Sequence, residues 1–582
     1  MDKQQIADTL DTIGTLLELK GENPFRTRAY HNAAQAIRNI NEDIDQYIEN
    51  RTLTSIKGIG KDLADKITEI ALTGDSNQLK ELKKQFPDGV LAMLRIPGLG
   101  PKKVKLLFDE LHISSIEQLK DACQKHILRD IKGLGPKTEE NILAGIEQIN
   151  KSAGKFLYNV AKQAADEIVS VIEKVNGVTK YEIAGSIRRR KEIIGDIDIL
   201  VSTQPKTVEK VFDAFVQHPL IQKVIARGST KASAVLKNNI QCDVRVIENK
   251  EFPFALQYFT GSKEHNVEIR SRAKKYGWSL NEYGFTRIKD STSQKKIPKC
   301  NSEKDIYTAL DLQYIPPELR ENMGEIEEAE KGHIPLLIEN SDINGAFHCH
   351  TTYSDGALTP EELLKVAKSN RWKFIGIADH SKSAAYAGGM SIETAKEQIQ
   401  HLRHLAKSNN DIKLFIGVEC DILPDGNLDY PDSLLAQYDY VIVSIHSKFK
   451  MSEDEATHRI CKALQHPFAT ILGHPTGRLL LEREGYPLDI KAVIDTASKH
   501  RKLIEINSHP MRLDLDWRWL RYAKEKGLLL CINPDAHNAE GLKDVEYGVG
   551  IARKGWLEPR NVINTWTNTQ IESLLISLKK GE

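Results

Sequence analysis

Two aspartates stand two apart in Gly195-Asp-Ile-Asp198, inside an apolar run that continues to Val201. Side chains alternate along an extended strand, so Asp196 and Asp198 project from one face. Like charges held this close repel unless a cation lies between them. Mg²⁺ meets that need through carboxylate oxygens, phosphate oxygens and retained waters. Asp243, in Gln241-Cys-Asp-Val-Arg-Val246, can come from a neighbouring strand to complete a two-metal site for in-line phosphoryl transfer. Upstream, Gly185 and Ser186 give a small backbone turn, and Arg188 or Arg189 offers a planar fork for phosphate oxygens. A DxD alone describes many solvated strand edges. GS-x-RR, then six residues, then DxD is a far more specific arrangement.

The second set is rich in imidazole. His348-Cys-His350 places two rings on one side of a strand end, with Asp355 just beyond in Ser354-Asp355-Gly356. Asp379-His380, Glu419, Ser444-Ile-His446, Gly473-His474-Pro475 and Asp535-Ala-His537 follow, nearly all after apolar runs. Mixed imidazole and carboxylate ligands suit Zn²⁺, Mn²⁺ or Fe²⁺ with a position open for water. One such histidine is ordinarily a satisfied structural residue; so many at strand ends are hard to reach by chance. His401, His404, His458, His466 and His500 stand in helical contexts and read as surface residues.

These side chains need elements to carry them. Strand-like runs at Tyr181–Ala184, Ile197–Val201 and Gln241–Ile247 hold the aspartates. Runs at Phe374–Ile377, Leu414–Val418, Tyr440–Ile445, Leu503–Ile506 and Leu528–Ile532 alternate with helical patterns. That alternation predicts an α/β layer or barrel, with catalytic groups at the C-terminal ends of strands. Residues 1–85 read as short amphipathic helices. A Gly-rich pattern recurs three times: Ile56-Lys-Gly-Ile-Gly60, Ile96-Pro-Gly-Leu-Gly100 and Ile131-Lys-Gly-Leu-Gly135, each before a helix-forming run. Gly58, Gly60, Gly98, Gly100, Gly133 and Gly135 permit a tight turn whose following helix start is a natural phosphate seat. The pattern resembles the helix-hairpin-helix motif, which holds a DNA backbone without reading its sequence.

The chain has 582 residues, 81 Lys+Arg and 81 Asp+Glu. At roughly 100–200 residues per domain it divides into several folded units. Residues 151–300 hold 27 basic against 16 acidic side chains, and residues 301–350 hold 3 against 11. A basic region of this kind is compatible with a polyanion surface. The acidic, Pro-interrupted stretch from 316 to 340 reads as a linker. Seven scattered cysteines without CxxC pairs predict neither a disulfide framework nor a zinc ribbon. No run approaches the ~20 apolar residues of a membrane span. The opening segment lacks an apolar signal core, so a cytoplasmic location is expected.

The segment from Gly185 to Val201 resembles the nucleotidyltransferase signature of family X DNA polymerases, the group that includes DNA polymerase beta. The resemblance implies that Asp196, Asp198 and Asp243 bind catalytic Mg²⁺ or Mn²⁺, while Gly185, Ser186, Arg189 and Gly195 cradle the triphosphate. It places Tyr258, Phe259 and Gly261 against the incoming nucleotide sugar, Asn266 at a base edge and Arg270 at the templating strand. Lys155 is a further phosphate candidate. Lys66 falls where that family forms a Schiff base with abasic sugars, but Asp62 replaces a basic neighbour, so lyase chemistry is not expected.

The imidazole set resembles the PHP (polymerase and histidinol phosphatase) domain. By that resemblance His348, His350, Asp355, His380, Glu419, His446, His474, Asp535 and His537 form a complete trinuclear site for Mn²⁺, or for Zn²⁺ or Fe²⁺, in a distorted (βα)₇ barrel.

The expected architecture is therefore multidomain α/β: a lyase-like helical domain (1–85), helix-hairpin-helix fingers (86–154), a palm (155–250), a thumb (251–315), the linker (316–340) and a PHP domain (341–582). The expected activity is gap-filling DNA synthesis in base excision repair with a metal-dependent 3′–5′ exonuclease. The partners would be gapped or primed DNA and dNTPs, and the chain would act as a monomer. Activity at abasic sites is also associated with the PHP domain. Two alternatives are a small-molecule phosphatase fused to a non-DNA nucleotidyltransferase, and a non-catalytic DNA-binding scaffold.

Overall fold

A computed structural model describes residues 3–40, 44–96, 98–131, 133–289, 296–409 and 411–580. The chain forms two compact units, Met1–Ala153 and Gly154–Glu582. Among the described residues no helix is long and apolar enough to cross a membrane.

The first unit is helical around a core of Ile, Leu, Val and Ala side chains. Its three Gly-rich turns are built alike. Gly58, Gly98 and Gly133 have φ of 93°, 78° and 94°, left-handed values that any Cβ would penalise. The apolar residue that follows (Ile59, Leu99 or Leu134) is buried, and its N–H closes the turn onto Ile56, Ile96 or Ile131. Gly60, Gly100 and Gly135 then cap the helices Lys61–Thr73, Pro101–Leu111 and Pro136–Ser152. None of the three caps comes from a side chain, so the first-turn N–H groups are left for an external acceptor. Pro97 and Lys132 lie outside the described residues.

The second unit opens on a five-stranded sheet: β1 (Val178–Ile183), β2 (Asp196–Thr203), β3 (Ile221–Arg227), β4 (Lys231–Leu236) and β5 (Gln241–Ile247), in the order β1-β2-β5-β4-β3. Only β2 and β5 run parallel, and their register sets Asp198 opposite Asp243. The helices Tyr158–Ile172 and Val208–Val216 pack beneath, burying Ile168, Phe212 and Phe215 against Ile197, Ile199 and Val201. Helices Phe252–Thr260 and Lys263–Lys275 and a hairpin, Trp278–Asn281 with Gly284–Arg287, follow.

Residues 316–340 are not a tether. They contain the helix Glu325–Lys331, and Leu319, Arg320, Glu325, Ile326 and Ile338 are buried. Their acids read as solvated from composition, but several are partners of buried basic groups: Glu325 with His265, Glu318 with Arg553, and Glu321 with Arg189.

The C-terminal region carries six parallel strands in sequential order: β6 (Phe374–Ile377), β7 (Lys413–Asp421), β8 (Tyr440–Ser444), β9 (Ile471–Leu472), β10 (Leu503–Asn507) and β11 (Leu530–Asn533). Helices such as Ile392–Ser408, Glu453–Leu464 and Ile490–Lys499 connect them. Residues 346–350 close the ring without forming a regular strand. Gly376 and Ala378 donate to Ala346 and Cys349 on one side, and His350 donates to Ala536 on the other. The interior is filled by Phe347, Phe374, Phe415, Tyr440 and Ile471, with Ile571 and Leu575 of the last helix closing the floor. This is the distorted barrel.

Candidate active sites

In the palm sheet Asp198 is half-buried, two residues from Asp196 and opposite Asp243. Burial and then the Asp196 charge push its carboxyl up to about 6. Such a group gains from a nearby cation. Asp243 goes the other way: burial is outweighed by hydrogen bonds from Lys231, Ser233 and Gln241, which hold it below the ordinary range. Lys231 Nζ stands 2.6 Å and Arg245 Nη2 3.5 Å from Asp243 Oδ2. No group of three ligand atoms within 4.8 Å includes these aspartates among the described residues, and Asp243 is engaged by Lys231. The donor set still fits divalent ions: three carboxylates on adjacent parallel strands, one of them raised by its neighbour's charge.

Gly185 sits against this pair at φ 62°, and a Cβ there would lie 3.1 Å from Asp198 Oδ2. Ser186 follows in the same turn, and Gly195 is open. The two arginines are held inside the protein. Arg188 clamps Glu303 with Nη1 and Nη2 at 2.9 and 2.8 Å and donates to Thr260 Oγ1 at 2.7 Å. Its fork is therefore taken by Glu303, which leaves Arg189 of the two sequence candidates. Arg189 donates from Nε to Glu321 at 3.0 Å and from Nη1 to the Thr260 carbonyl; neither bond uses Nη2. Tyr258 and Phe259 meet edge-to-face at 5.1 Å, and Arg245 lies over the Phe259 ring. Asn266 is buried, donating to the Tyr258 carbonyl at 2.7 Å and accepting from Gln257 at 2.8 Å. Its visible work is to fix that segment. Arg270 bonds the Asn266 carbonyl from Nε. Lys155 is exposed, and Lys66 pairs with Glu69 at 3.0 Å on its own helix.

The barrel brings all nine of its expected residues together at the C-terminal strand ends. Ligand atoms of His350, Asp355, His380 and His537, of His348, His350 and Asp535, and of His380, Glu419 and His446 each lie within 4.8 Å of one another. These groups overlap through His350 and His380. His474 Nε2 joins Glu419 Oε1 at 2.9 Å. His348 Nε2, His350 Nδ1, His474 Nδ1 and Glu419 Oε2 are buried with no hydrogen-bond partner among the described residues. Buried polar atoms are rarely left so; His348 Nε2 stands 3.4 Å from Glu419 Oε2 and His350 Nδ1 3.8 Å from Asp355, spacings that suit a shared cation. Burial, with His537 and His380 beside it, lowers His350 to about 3, whereas the neighbouring carboxylates outweigh burial and raise His446 to about 10 and His537 to about 9; a bound cation would displace those protons.

Sequence reasoning missed the residues that aim these rings. Glu505 accepts from His348 Nδ1 at 2.7 Å, and Asp421 from His446 Nδ1 at 2.7 Å, so each Nε2 faces the cluster. Asp379 accepts from Thr351 and Ser354 and braces the loop that carries Asp355. At the rim, Arg512 Nε stands 3.5 Å from Asp535, and the Tyr386 ring, 73% exposed, lies 6.3 Å from both His380 and His446. An acid inside an apolar strand, as in Leu503-Ile-Glu505, was the readable signal for the first of these. Tyr386 carried none.

Comparison with known proteins covers the regions that carry both clusters. The chain matches the DNA polymerase beta palm over 159–252 and the DNA polymerase beta thumb over 255–321. It matches a helix-hairpin-helix domain over 1–76, a SAM-like helix-hairpin-helix tandem over 90–148 and a PHP domain over 346–509. It is 37% identical over 577 residues, 99% of each chain, to the DNA polymerase/3′-5′ exonuclease PolX of Bacillus subtilis (strain 168). The chain belongs to the family X DNA polymerases that carry a PHP domain. Two other relatives each match part of this family X chain. DNA polymerase lambda of Rattus norvegicus is 25% identical over 344 residues, 54% of this chain and 56% of that one. A probable phosphatase of Thermoanaerobacter sp. (strain X514) is 28% identical over 229 residues, 38% of this chain and 89% of that one. The PHP match ends at 509, yet Asp535 and His537, beyond it, complete the ligand cluster of this family X barrel.

Proposed function

We propose that this chain is a DNA-directed DNA polymerase that fills short gaps during base excision repair, and that its barrel removes nucleotides from 3′ ends. The observation that carries the reading is the presence, in one compact unit, of two separate cation-binding chemistries. One is the Asp196/Asp198/Asp243 strand pair and the other the nine-residue imidazole cluster.

At the palm, Asp196, Asp198 and Asp243 would hold Mg²⁺ or Mn²⁺, which neutralise triphosphate charge and favour in-line transfer. Gly185, Ser186 and Gly195 keep that seat free of side-chain bulk, and Arg189 offers Nη2 to a phosphate oxygen. The primer 3′-hydroxyl attacks the α-phosphorus of a dNTP and pyrophosphate leaves, with positioning and electrostatics supplying most of the acceleration. Tyr258 and Phe259 form the wall against which the sugar would rest, with Gly261 in the turn beside them. The three hairpins of the first unit would bind DNA phosphates through backbone N–H groups, so affinity should fall with salt.

At the barrel, His348, His350, Asp355, His380, Glu419, His446, His474, Asp535 and His537 would hold three ions, Mn²⁺ foremost, which supply Lewis acidity and lower the pKa of water. Glu505 and Asp421 keep the rings aimed, and Arg512 presents a cation to the phosphodiester. Tyr386 offers a base an exposed stacking face. The same site would also act at abasic sites. A second reading, hydrolysis of a small phosphoester, draws on the probable phosphatase relative; Tyr386 beside the cluster favours a nucleotide end.

Replacing both Asp196 and Asp198 with Ala should abolish nucleotide insertion on gapped DNA while 3′ degradation in Mn²⁺ persists. His348→Ala should do the reverse. Joint loss in either variant would refute separate centres, and faster release of phosphate from histidinol phosphate than of nucleotides from a 3′-labelled strand would favour the second reading.

A further inference from the structure

The turn from Gly185 to Glu192 is braced from the barrel as well as from the thumb. The barrel helix Val545–Lys554 lies against it. Tyr547 meets Tyr158 edge-to-face at 5.9 Å, Gly550 leaves room for the Arg190 side chain, and Arg518 stands 3.6 Å from Glu192. At the end of that helix Lys554 is fully buried. Its ammonium donates to the Arg189 carbonyl at 3.0 Å, the Glu318 carbonyl at 3.2 Å and Glu321 Oε1 at 2.6 Å. Three N–H donors meet three acceptors. A buried ion pair is by itself weak evidence of a stabilising role; what singles out this lysine is what it holds. Glu321 Oε1 is also the oxygen that receives Arg189 Nε at 3.0 Å, and Lys191 stands 3.8 Å from Oε2. Arg189 is thus gripped twice from Lys554: directly at its carbonyl, and through Glu321 at its guanidinium. The far side of the guanidinium reaches the Thr260 carbonyl, and Nη1 lies 3.0 Å from the place of a Cβ on Gly261.

We propose that Lys554 is a positioning residue for nucleotidyl transfer, holding from the phosphoesterase barrel the guanidinium of Arg189 beside the triphosphate seat. The inference rests on the reading of Gly185–Gly195 as that seat. Without the Lys554 charge the whole of the Glu321 carboxylate falls to Arg189 and Lys191, the Arg189 carbonyl loses its donor, and the fork settles away from the phosphates. The nuclease cluster takes no part in this chain of contacts.

The test uses the full chain with Lys554→Met, Glu321→Gln and both together, in single-nucleotide insertion on gapped DNA with Mg²⁺. Degradation of a 3′-labelled strand with Mn²⁺ and the thermal midpoint are measured beside it. Each single variant should raise the KM for dNTP by roughly 10- to 100-fold, the range for a lost charged hydrogen bond, with a smaller change in kcat. Degradation should stay within about two-fold of the parent, and the double variant should be no worse than the weaker single one, as for members of one network. An unchanged KM in both single variants overturns the proposal. So does a parallel fall of both activities with a lowered thermal midpoint, which marks a structural brace only. A parental chain that inserts no nucleotide overturns the triphosphate seat and this inference together.

Discussion

Glu505 accepts four hydrogen bonds in the centre of the barrel: from His348 Nδ1, the His474 N–H, and the Asn507 and Asn533 amides. A carboxylate so placed fixes one ring by its imidazole and a second by its backbone. Glu505→Gln should therefore weaken metal retention by roughly 10- to 100-fold, the usual range for an outer-shell partner, read as bound Mn²⁺ after dialysis against graded chelator. Retention equal to the parent's would mean that other contacts aim His348. The nine clustered residues were legible because their doublets and strand-end positions are visible in one dimension. Glu505 and Asp421 were not, since each meets its histidine only across strands: 157 residues separate Glu505 from His348. Arg188 shows the opposite failure. Its spacing matched a phosphate contact, and only the folded chain reveals that Glu303 takes its fork.

Among the elements, five of the six barrel strands were readable as apolar runs, the two-residue β9 being too short, and the aspartate strands as period-two patterns. The seam was readable only as a strand end at His348–His350. Residues 346–350 hydrogen-bond to both edges of the sheet without repeating a strand geometry, so no periodicity announces them. β3 left no signal for another reason: it is an edge strand with all but its first residue exposed, so no buried face alternates along it. Inside the ring, Gly376 and Gly417 are shaped by one neighbour. A Cβ on Gly417 would lie 2.3 Å from the Tyr440 ring, and one on Gly376 2.4 Å from its hydroxyl. That hydroxyl donates to the Ile377 and Phe347 carbonyls. Gly417→Ala should therefore cost about 1–3 kcal/mol, as overpacking does, seen as a lower urea midpoint. An unchanged midpoint would show that Tyr440 can move aside.

At the scale of the molecule, Glu303 joins the palm turn to the residues that follow the thumb hairpin. It receives Arg188 from one side and Arg320, at 2.5 Å, from the other. Burial pushes its carboxyl up, but Arg320 and Arg188 outweigh that and hold it at about 2 against an ordinary 4.5. A depressed carboxylate contributes stability that is complete above its unfolded value and lost as pH falls through the folded one. The parent should thus lose denaturant resistance between about pH 4.5 and 2 more steeply than Glu303→Gln, in urea titrations across that range. Parallel acid limbs would assign the loss to other carboxylates. This network is also why composition misjudged residues 316–340: an acid-rich stretch looks like a tether until its charges are found to be the counterparts of buried arginine, lysine and histidine.

The seam has a bearing on how the protein is made. His348 and His350 leave the ribosome nearly two hundred residues before Asp535 and His537, yet each pair is useless without the other, and the floor of the ring is closed only by the final helix. The palm waits as long, because the Lys554 that grips its Arg189 lies later still in the chain. A half-made chain therefore owns neither centre in finished form, and both activities are withheld until translation has run almost its full course.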